Sequence, residues 1–439
     1  MLERLIERAT TAPVHRPLGV VLEVVGLIVE VGGLRAAVGD TLSVEAEAGP
    51  LELEVVGFKA GRLLTTPLGS LSGIRPGARV RRTNRGATVP VAMALLGRVI
   101  DAFGRPLDGS PSVATDRVYP VHSAPPPPFA RRPIVDRFAT GIRAIDGILP
   151  LGVGQRMGIF AGAGVGKSTL LGMICRSSQA DVNVVALVGE RGRELNDFIR
   201  NALGAEGLAR TVVVAATSDQ PPLVRARGAE AATALAEYFR NQGKSVLLVM
   251  DSVTRYAMAL REAALAAGEP PATKGYPPSV FAALPRLLER AGTGSGPGVI
   301  TALYTVLVEG DDLSDPVADA VRSILDGHIV LSRELAERGH FPAIDVLSSV
   351  SRLAPEIADA GDLRLAGWVR ELLGAHREVA DLIQVGAYVA GSDPRVEMAL
   401  AAMPHIDTFL RQDVTEATPV EEVRARLVAL AQSVQRRGG

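Results

Sequence analysis

The stretch "IFAGAGVGKSTLLGM", Ile159 to Met173, governs how the rest of the chain reads. A short apolar run, Met157 to Phe160, ends in small residues. Ala161, Gly162, Ala163, Gly164, Val165 and Gly166 lead into Lys167, Ser168 and Thr169 at the head of a helical run. Glycines let successive backbone N–H groups curl inward around a phosphate. The helix N-terminus adds its partial positive charge. In this setting Lys167 is expected to reach the β- and γ-phosphates of a nucleotide, and the Ser168 hydroxyl to bind Mg²⁺. The strict pattern opens on glycine; Ala161 stands there, a small residue that common variants accept. A chance glycine-rich turn is the competing reading. A strand before the loop and a helix after it favour the phosphate cradle.

Around the cradle, strand patterns at Val182–Val188, Thr211–Ala216, Val246–Met250 and Val299–Val308 alternate with helical ones at Glu194–Leu203 and Arg225–Gln242. Such alternation argues a mostly parallel sheet covered by helices, an α/β fold. Ligands of such sheets sit at the carboxyl ends of the strands. Upstream, from about Leu18 to Val91, runs such as "VVLEVVGLIVEVGG" and "LELEVVGF" are punctuated by Gly-Asp, Pro-Gly and Asn-Arg-Gly, which suggests a small β-barrel. Residues 1–10 form a short amphipathic patch. "SAPPPPFARRP" (123–133) cannot be a helix or a central strand and reads as a connector laid on the central domain. After about Pro355 the apolar spacing turns helical, as in "LRLAGWVRELLGAHREVADLIQVGAY" and "EEVRARLVALAQSVQ". Trp368 reads as a core residue. Three domains are therefore expected: a barrel over 1–92, a nucleotide-binding domain over 93–354 and a helical domain over 355–439.

Bulk properties narrow the function classes. With 439 residues the chain is long enough for two or three domains. Lys and Arg number 47 against 48 Asp and Glu, a net charge of −1, which gives no general pull towards nucleic acid or anionic lipid. The single cysteine, Cys175, cannot form an internal disulfide and suits a reducing cytosol. Its apolar helical context marks a packing residue. The six histidines are scattered and suggest no metal site. "MLERLIERAT" lacks a signal-peptide core. Mean hydropathy is +0.22, yet no apolar run reaches the roughly 18–20 residues that span a bilayer. A soluble, cytoplasmic chain is expected. Phe58 is the only aromatic residue before Phe103, which argues against a barrel that stacks single-stranded nucleic acid. The basic run "RVRRTNR" at 79–85 reads as a solvated edge.

Three more strand ends carry polar residues. In "VVALVGERGREL" an apolar strand runs into Glu190, Arg191 and Glu194. A carboxylate there can polarise a water for in-line attack, and Arg191 can help neutralise phosphates. An ordinary helix-start cluster would look the same. In "SVLLVMDSVTRYAMALRE" five apolar residues end in Asp251, an acid placed for a Mg²⁺–water shell or, alternatively, for a helix cap. Arg255, four residues on, could face the phosphates. In "GHFPAIDVLSSVSRL" (339–353), Phe341 could offer a flat face to a base. Arg352 reads either as structural or as a source of transition-state charge.

"PAIDVLSSVS" and "GERGREL" resemble signature segments of the rotary ATPase α/β family. The wider chain is similar to one branch of it, the flagellar and injectisome type III secretion ATPases. The segments that carry this likeness include "AFGRPLDG", "PVHSAPPPP", "ATSDQPPLVR", "LVEGDDLSDPVADAVRSILDGHIVLSR" and "GAYVAGSDP", spread over about 97–395. The resemblance implies a RecA-like P-loop ATPase core with an N-terminal β-barrel and a C-terminal helical domain. It assigns Lys167 and Ser168 to phosphate and Mg²⁺, Glu190 to water activation and Arg191 to the γ-phosphate. Asp251 becomes the second-sphere magnesium acid, Arg255 an arginine near the phosphates and Phe341 the adenine contact. Arg352 falls where the family places an arginine finger that reaches into a neighbouring subunit's site. Its role implies a ring, a homohexamer with nucleotide between subunits. Two departures stand out: no Glu-rich rotor loop is present, "VAGSDP" standing in its place, and the segment before the barrel is short, which puts a regulator contact there in doubt.

The resemblance thus implies an ATP- and Mg²⁺-dependent ATPase at the cytoplasmic face of an inner-membrane export apparatus. Its expected partners are a central stalk, a peripheral regulator, an export gate, chaperones and export substrates. Membrane association is expected only through those partners, and no nucleic acid is expected. A flagellar system is placed ahead of an injectisome on overall wording alone. A catalytic subunit of an ATP synthase or vacuolar-type ATPase, and a hexameric RNA translocase, are the remaining alternatives.

Overall fold

The computed structural model describes residues 18–308 and 314–435. The amphipathic patch expected at 1–10 lies outside the described residues. Two compact units divide the chain: one runs to Ala87 and includes the short segments Pro221–Val224 and Glu262–Pro270, and the other holds the remainder.

In the first unit six strands close into an antiparallel barrel, in the order Leu18–Val25, Ile28–Gly32, Arg62–Pro67, Gly49–Lys59, Asp40–Ala46 and Arg79–Gly86. The last strand returns to the first through the pairs Leu18–Arg81 and Val20–Arg79. Alternation places Val21, Val29, Val31, Leu42, Val44, Leu53 and Val80 inside. The run "RVRRTNR" lies in the closing strand. Val80 faces the core, while Arg81 pairs with Glu45 at 3.2 Å and Arg82 with Asp40 at 2.8 Å. Those two guanidinium groups are engaged by acids along a solvated barrel strand.

The second unit is built on a sheet whose strand order is Ile344–Ser351, Gly327–Leu331, Arg156–Ala161, Val299–Leu307, Ser245–Asp251, Val182–Val188, Thr211–Ala216 and Val99–Ile100. Pairing along it is parallel, except that Ile344–Ser351 runs antiparallel to Gly327–Leu331. Parallel strands covered on both faces read as continuous apolar runs. Val182–Val188 and Thr211–Ala216 are buried at every position. The strand that feeds the cradle, Arg156–Ala161, lies between two others, so the carboxyl ends Ala161, Leu307 and Leu331 stand side by side.

One helix differs from expectation. The segment read as Glu194–Leu203 begins at Gly192, widens into a π-type turn over Phe198–Leu203 and continues over Gly204–Ala209. Glycines at 204 and 207 disguised the continuation. The connector "SAPPPPFARRP" lies on the core as expected: Arg131 donates to Ala291 O at 3.0 Å, and Thr293 donates to Arg132 O at 2.7 Å.

The C-terminal helices are Ala360–Gln384, Pro394–Leu410 and Val420–Gln435. Asp359 and Asp393 cap the first two through their side chains, and proline opens the second. Their apolar faces share one core with the nucleotide-binding domain, where Val369, Ile406, Phe409 and Val423 join Ile145, Leu171 and Ile174. Trp368 is partly buried and flanks this core. Cys175 is fully buried, and burial pushes its thiol up to about 12, so it packs and does not react.

Candidate active site

Ala161 is the last residue of the central cradle strand, and Lys167 opens the helix Lys167–Ser177. Between them, Gly162 is buried, Ala163 and Gly164 are exposed, and Val165 anchors the loop in the core at 2% exposure. Gly166 caps the helix with φ +87°, a left-handed conformation that glycine adopts without strain. Ser168 and Thr169 are exposed on the first turn, where a hydroxyl can meet a ligand.

Two neighbouring strands deliver acids to the same edge. Val182–Val188 ends at Gly189, and Glu190 follows. Ser245–Asp251 pairs with it in register, Leu187 opposite Asp251. The Lys167 ammonium donates to Asp251 Oδ1, and Thr305 Oγ1 donates to that same oxygen at 2.7 Å. Lys167 Nζ also lies 3.8 Å from Glu190 Oε1. Arg255, on the helix Val253–Ala266, donates through Nε to Glu190 Oε1 at 3.2 Å. Gly189 makes this approach possible. It sits at φ +68°, and a Cβ there would come within 2.8 Å of Arg255 Cδ.

Four ionisable groups thus converge: two acids and two cations. Glu190 is 7% exposed and Asp251 3% exposed. Burial, first, then a hydrogen bond with Glu194 and the charge of Asp251 push the Glu190 carboxyl up to about 7, against the opposing pull of Lys167 and Arg255. A carboxyl with that affinity can take up a proton near neutrality.

Phe341 brings the flat face the sequence suggested. A Cβ placed on Gly166 would lie 3.3 Å from Phe341 Cδ1 and Cε1, so the ring stands beside the cradle. At 43% exposure one side of the ring remains open.

Two expected residues stand apart. The Arg191 side chain is 79% exposed and lies 3.7 Å from Glu194. Arg352 is at the other edge of the sheet. It follows the antiparallel strand Ile344–Ser351, and its backbone N–H donates to Asp326 O at 3.0 Å. Asp326 in turn bonds Arg156, the first residue of the cradle strand. The six residues Arg156–Ala161 separate the two edges by about 17 Å at the usual strand rise. Arg352 Nη2 donates to Arg322 O at 3.2 Å and is otherwise exposed.

Sequence reading missed Thr305. It lies on the strand Val299–Leu307, bonds both Asp251 Oδ1 and Met250 O, and fixes the acid's rotamer. The signal was a threonine near the carboxyl end of a buried strand beside the Asp251 strand, since a buried hydroxyl needs a partner.

The hard-oxygen donors Ser168 and Asp251 fit a magnesium ion that arrives with phosphates. Among the described residues no group of three or more His, Cys, Asp or Glu could cage a metal by itself. Mg²⁺ is commonly held by one or two protein oxygens plus substrate phosphate.

Comparison with known proteins places the chain in a family. Residues 141–351 match the nucleotide-binding domain of the ATP synthase alpha/beta family, and residues 21–84 match that family's beta-barrel domain. Residues 358–429 match the T3SS EscN ATPase C-terminal domain. The flagellum-specific ATP synthase of Pseudomonas aeruginosa is 52% identical over 94% of this chain and 92% of its own length. The type 3 secretion system ATPase of Xanthomonas euvesicatoria is 49% identical over 98% of each chain. Among solved structures, the assembled ATPase EscN of the enteropathogenic E. coli type III secretion system aligns with a TM-score of 0.89 at 43% identity, covering 94% of this chain and 99% of that one. The same ATPase in complex with its central stalk EscO aligns at 0.87 and 42% identity, with the same coverage. The chain belongs to the ATP synthase alpha/beta family, in its branch of flagellar and type III secretion ATPases.

Proposed function

We propose that this chain hydrolyses ATP at the interfaces of a homohexameric ring and powers a flagellar-type protein export apparatus. The observation that carries the chemistry is the placement of Glu190. A buried carboxyl of raised proton affinity lies 3.8 Å from the lysine of a phosphate cradle.

The loop from Ala161 to Gly166, with Thr169 on the first helical turn, surrounds the phosphates with backbone N–H donors. Lys167 would turn from Asp251 towards the β- and γ-oxygens. Ser168 directly, and Asp251 through water, would hold Mg²⁺, which would supply charge to offset that of the phosphates. Glu190 orients the attacking water and accepts its proton as the new O–P bond forms and the β–γ bridging bond breaks. Arg255 holds Glu190 in place. Arg191 reaches the γ-phosphate by turning from Glu194. Arg352 of one subunit neutralises charge at the cradle of the next.

The assembled state of EscN and its complex with a central stalk support a ring around a stalk for this chain. A peripheral regulator, chaperones, substrates and an export gate at the cytoplasmic face of the inner membrane complete the proposed setting. Among the described residues no helix is long and apolar enough to cross a membrane, so attachment through partners is the proposed mode. An injectisome is the second reading, supported by similarity to secretion ATPases nearly equal to that shared with the flagellar ones. The test is steady-state hydrolysis by the purified chain. MgATP turnover that increases on adding the stalk protein of the same system is expected. No turnover at any protein concentration, with or without the stalk, would overturn the reading.

A further inference from the structure

We infer that Asp407 and Gln412, in the C-terminal helical segment, are positioning residues for the nucleotide base, acting through Phe341. This rests on the reading of Phe341 as the base contact.

Phe341 sits in a short irregular stretch between the helix Arg333–Glu337 and the strand Ile344–Ser351. Backbone of that kind holds a ring only if something outside it does the holding. Asp407, near the end of the helix Pro394–Leu410, supplies one tether. Its Oδ1 lies 2.7 Å from His340 Nδ1. A carboxylate can only accept, so Nδ1 carries the proton. His340 Nε2 is buried without a partner among the described residues, so this bond alone orients the imidazole. Asp407 Oδ2 accepts from Arg411 Nε at 2.7 Å, and Arg411 Nη1 donates to Gly339 O at 3.1 Å. One carboxylate therefore fixes the two residues that precede Phe341.

Gln412 supplies the other tether. Its backbone N–H donates to Phe341 O at 2.9 Å. The buried side chain locks that backbone in place. It accepts from Arg143 N at 2.8 Å and donates to Gly141 O at 2.7 Å and Glu416 O at 2.9 Å. The same loop reaches the cradle helix, where Arg176 donates to Val414 O at 2.6 Å. A cleft of about 860 Å³, lined by Leu335, His340, Ile344, Leu373, Asp407 and Leu410 among others, opens beside these bonds. Polar tethers thus connect the helical segment to the aromatic ring beside Gly166, and none of these bonds ends on the phosphate loop Ala161–Thr169.

A pair of ligands separates base recognition from phosphate recognition. Binding of MgATP and of magnesium tripolyphosphate, which has no base, is measured by calorimetry on the full-length chain. Asp407→Ala is expected to weaken MgATP about tenfold, within the range that base–aromatic stacking contributes, and to leave tripolyphosphate within about twofold. Asp407→Asn keeps an acceptor for His340 and is expected to restore most of the loss. Gln412→Ala should weaken MgATP selectively, as Asp407→Ala does; if that buried variant is unstable, the exposed Arg411→Ala gives the same readout with a smaller selective loss. Equal weakening of both ligands by folded Asp407→Ala, or no weakening, overturns the inference. Phe341→Leu is the control. If it leaves the ratio of the two affinities unchanged, the base-contact reading fails and the inference falls with it. If Phe341→Leu changes the ratio and Asp407→Ala does not, only the inference fails.

Discussion

The two edges of the parallel sheet are built differently. At the carboxyl edge, Lys167, Glu190, Asp251 and Arg255 touch one another, and Thr305 fixes the acid between them. At the opposite edge, Arg352 stands exposed on one carbonyl bond from its side chain. A single strand, Ile344–Ser351, links the two, with Phe341 just before its start and Arg352 just after its end. Under the proposed function the difference is a division of labour: one chain assembles its own cradle, metal donors and base, and Arg352 of another copy supplies charge on the far side of the γ-phosphate. A structural role for Arg352 would remove that division.

The largest effect is expected at the pre-assembled edge. Lys167→Ala should abolish both MgATP binding and turnover. Removing it also leaves the buried Asp251 carboxylate with one fewer compensating donor, a change that costs on the order of 3–5 kcal/mol when a buried pair is broken. Thermal melting should therefore accompany the assay, and a folded variant with near-normal turnover would dissolve the cradle assignment. Next comes Arg352→Ala. Turnover should fall by about 10³-fold or more, the range of fingers supplied in trans, while MgATP binding stays close to normal. Loss of binding in step with turnover would make Arg352 structural.

Glu190→Gln keeps size and loses the base, and should slow hydrolysis about 10²-fold or more with binding retained. The intact carboxyl predicts a pH profile as well. Its affinity is raised to about 7, so the free chain carries the active carboxylate above pH 7 and the protonated, inactive form below it. The kcat/KM of the native chain should climb with pH up to about 7 and then level off. A profile already flat from pH 5 upward would contradict a base in this environment. The smallest effect is expected from Arg191→Ala. Its guanidinium is 79% exposed and meets the carboxyl-edge group only through Glu194. A fall in turnover of about tenfold, well short of the Arg352 change, is expected in kcat with little change in KM. A loss as large as that of Arg352→Ala would move Arg191 into the core group.

Much of this was legible in the sequence. The apolar runs ending in Glu190 and Asp251 located both acids, because a buried parallel strand can only present a charge at its tip. The barrel was legible from the partly alternating runs in Leu18–Val25 and Gly49–Lys59. The continuation of the Glu194–Leu203 helix over Gly204–Ala209 was not, since Gly204 and Gly207 imitate a stop. Thr305 was missed because the hydroxyls of Val299–Leu307, at 301, 304 and 305, carry no spacing signal that singles it out. Arg191 and Arg352 show a different limit. Residue type and motif marked them as phosphate ligands. For Arg191 the sequence does not encode how a 79% exposed side chain is turned. For Arg352 it does not encode the sheet edge, which depends on the antiparallel turn of the last strand. The tethers from Asp407 and Gln412 join segments 67 residues or more apart in sequence, and no local pattern announces them.

Mixing two inactive chains tests the division between the edges most directly. Arg352→Ala subunits keep an intact cradle, and Lys167→Ala subunits keep an intact Arg352. Each should be inactive alone at every concentration. In mixed rings, some interfaces join a sound cradle to a sound arginine, so partial ATPase activity should return and should peak at intermediate mixing ratios. Mixed rings that demonstrably form, yet stay as inactive as either parent, would contradict an arginine supplied by a neighbouring subunit.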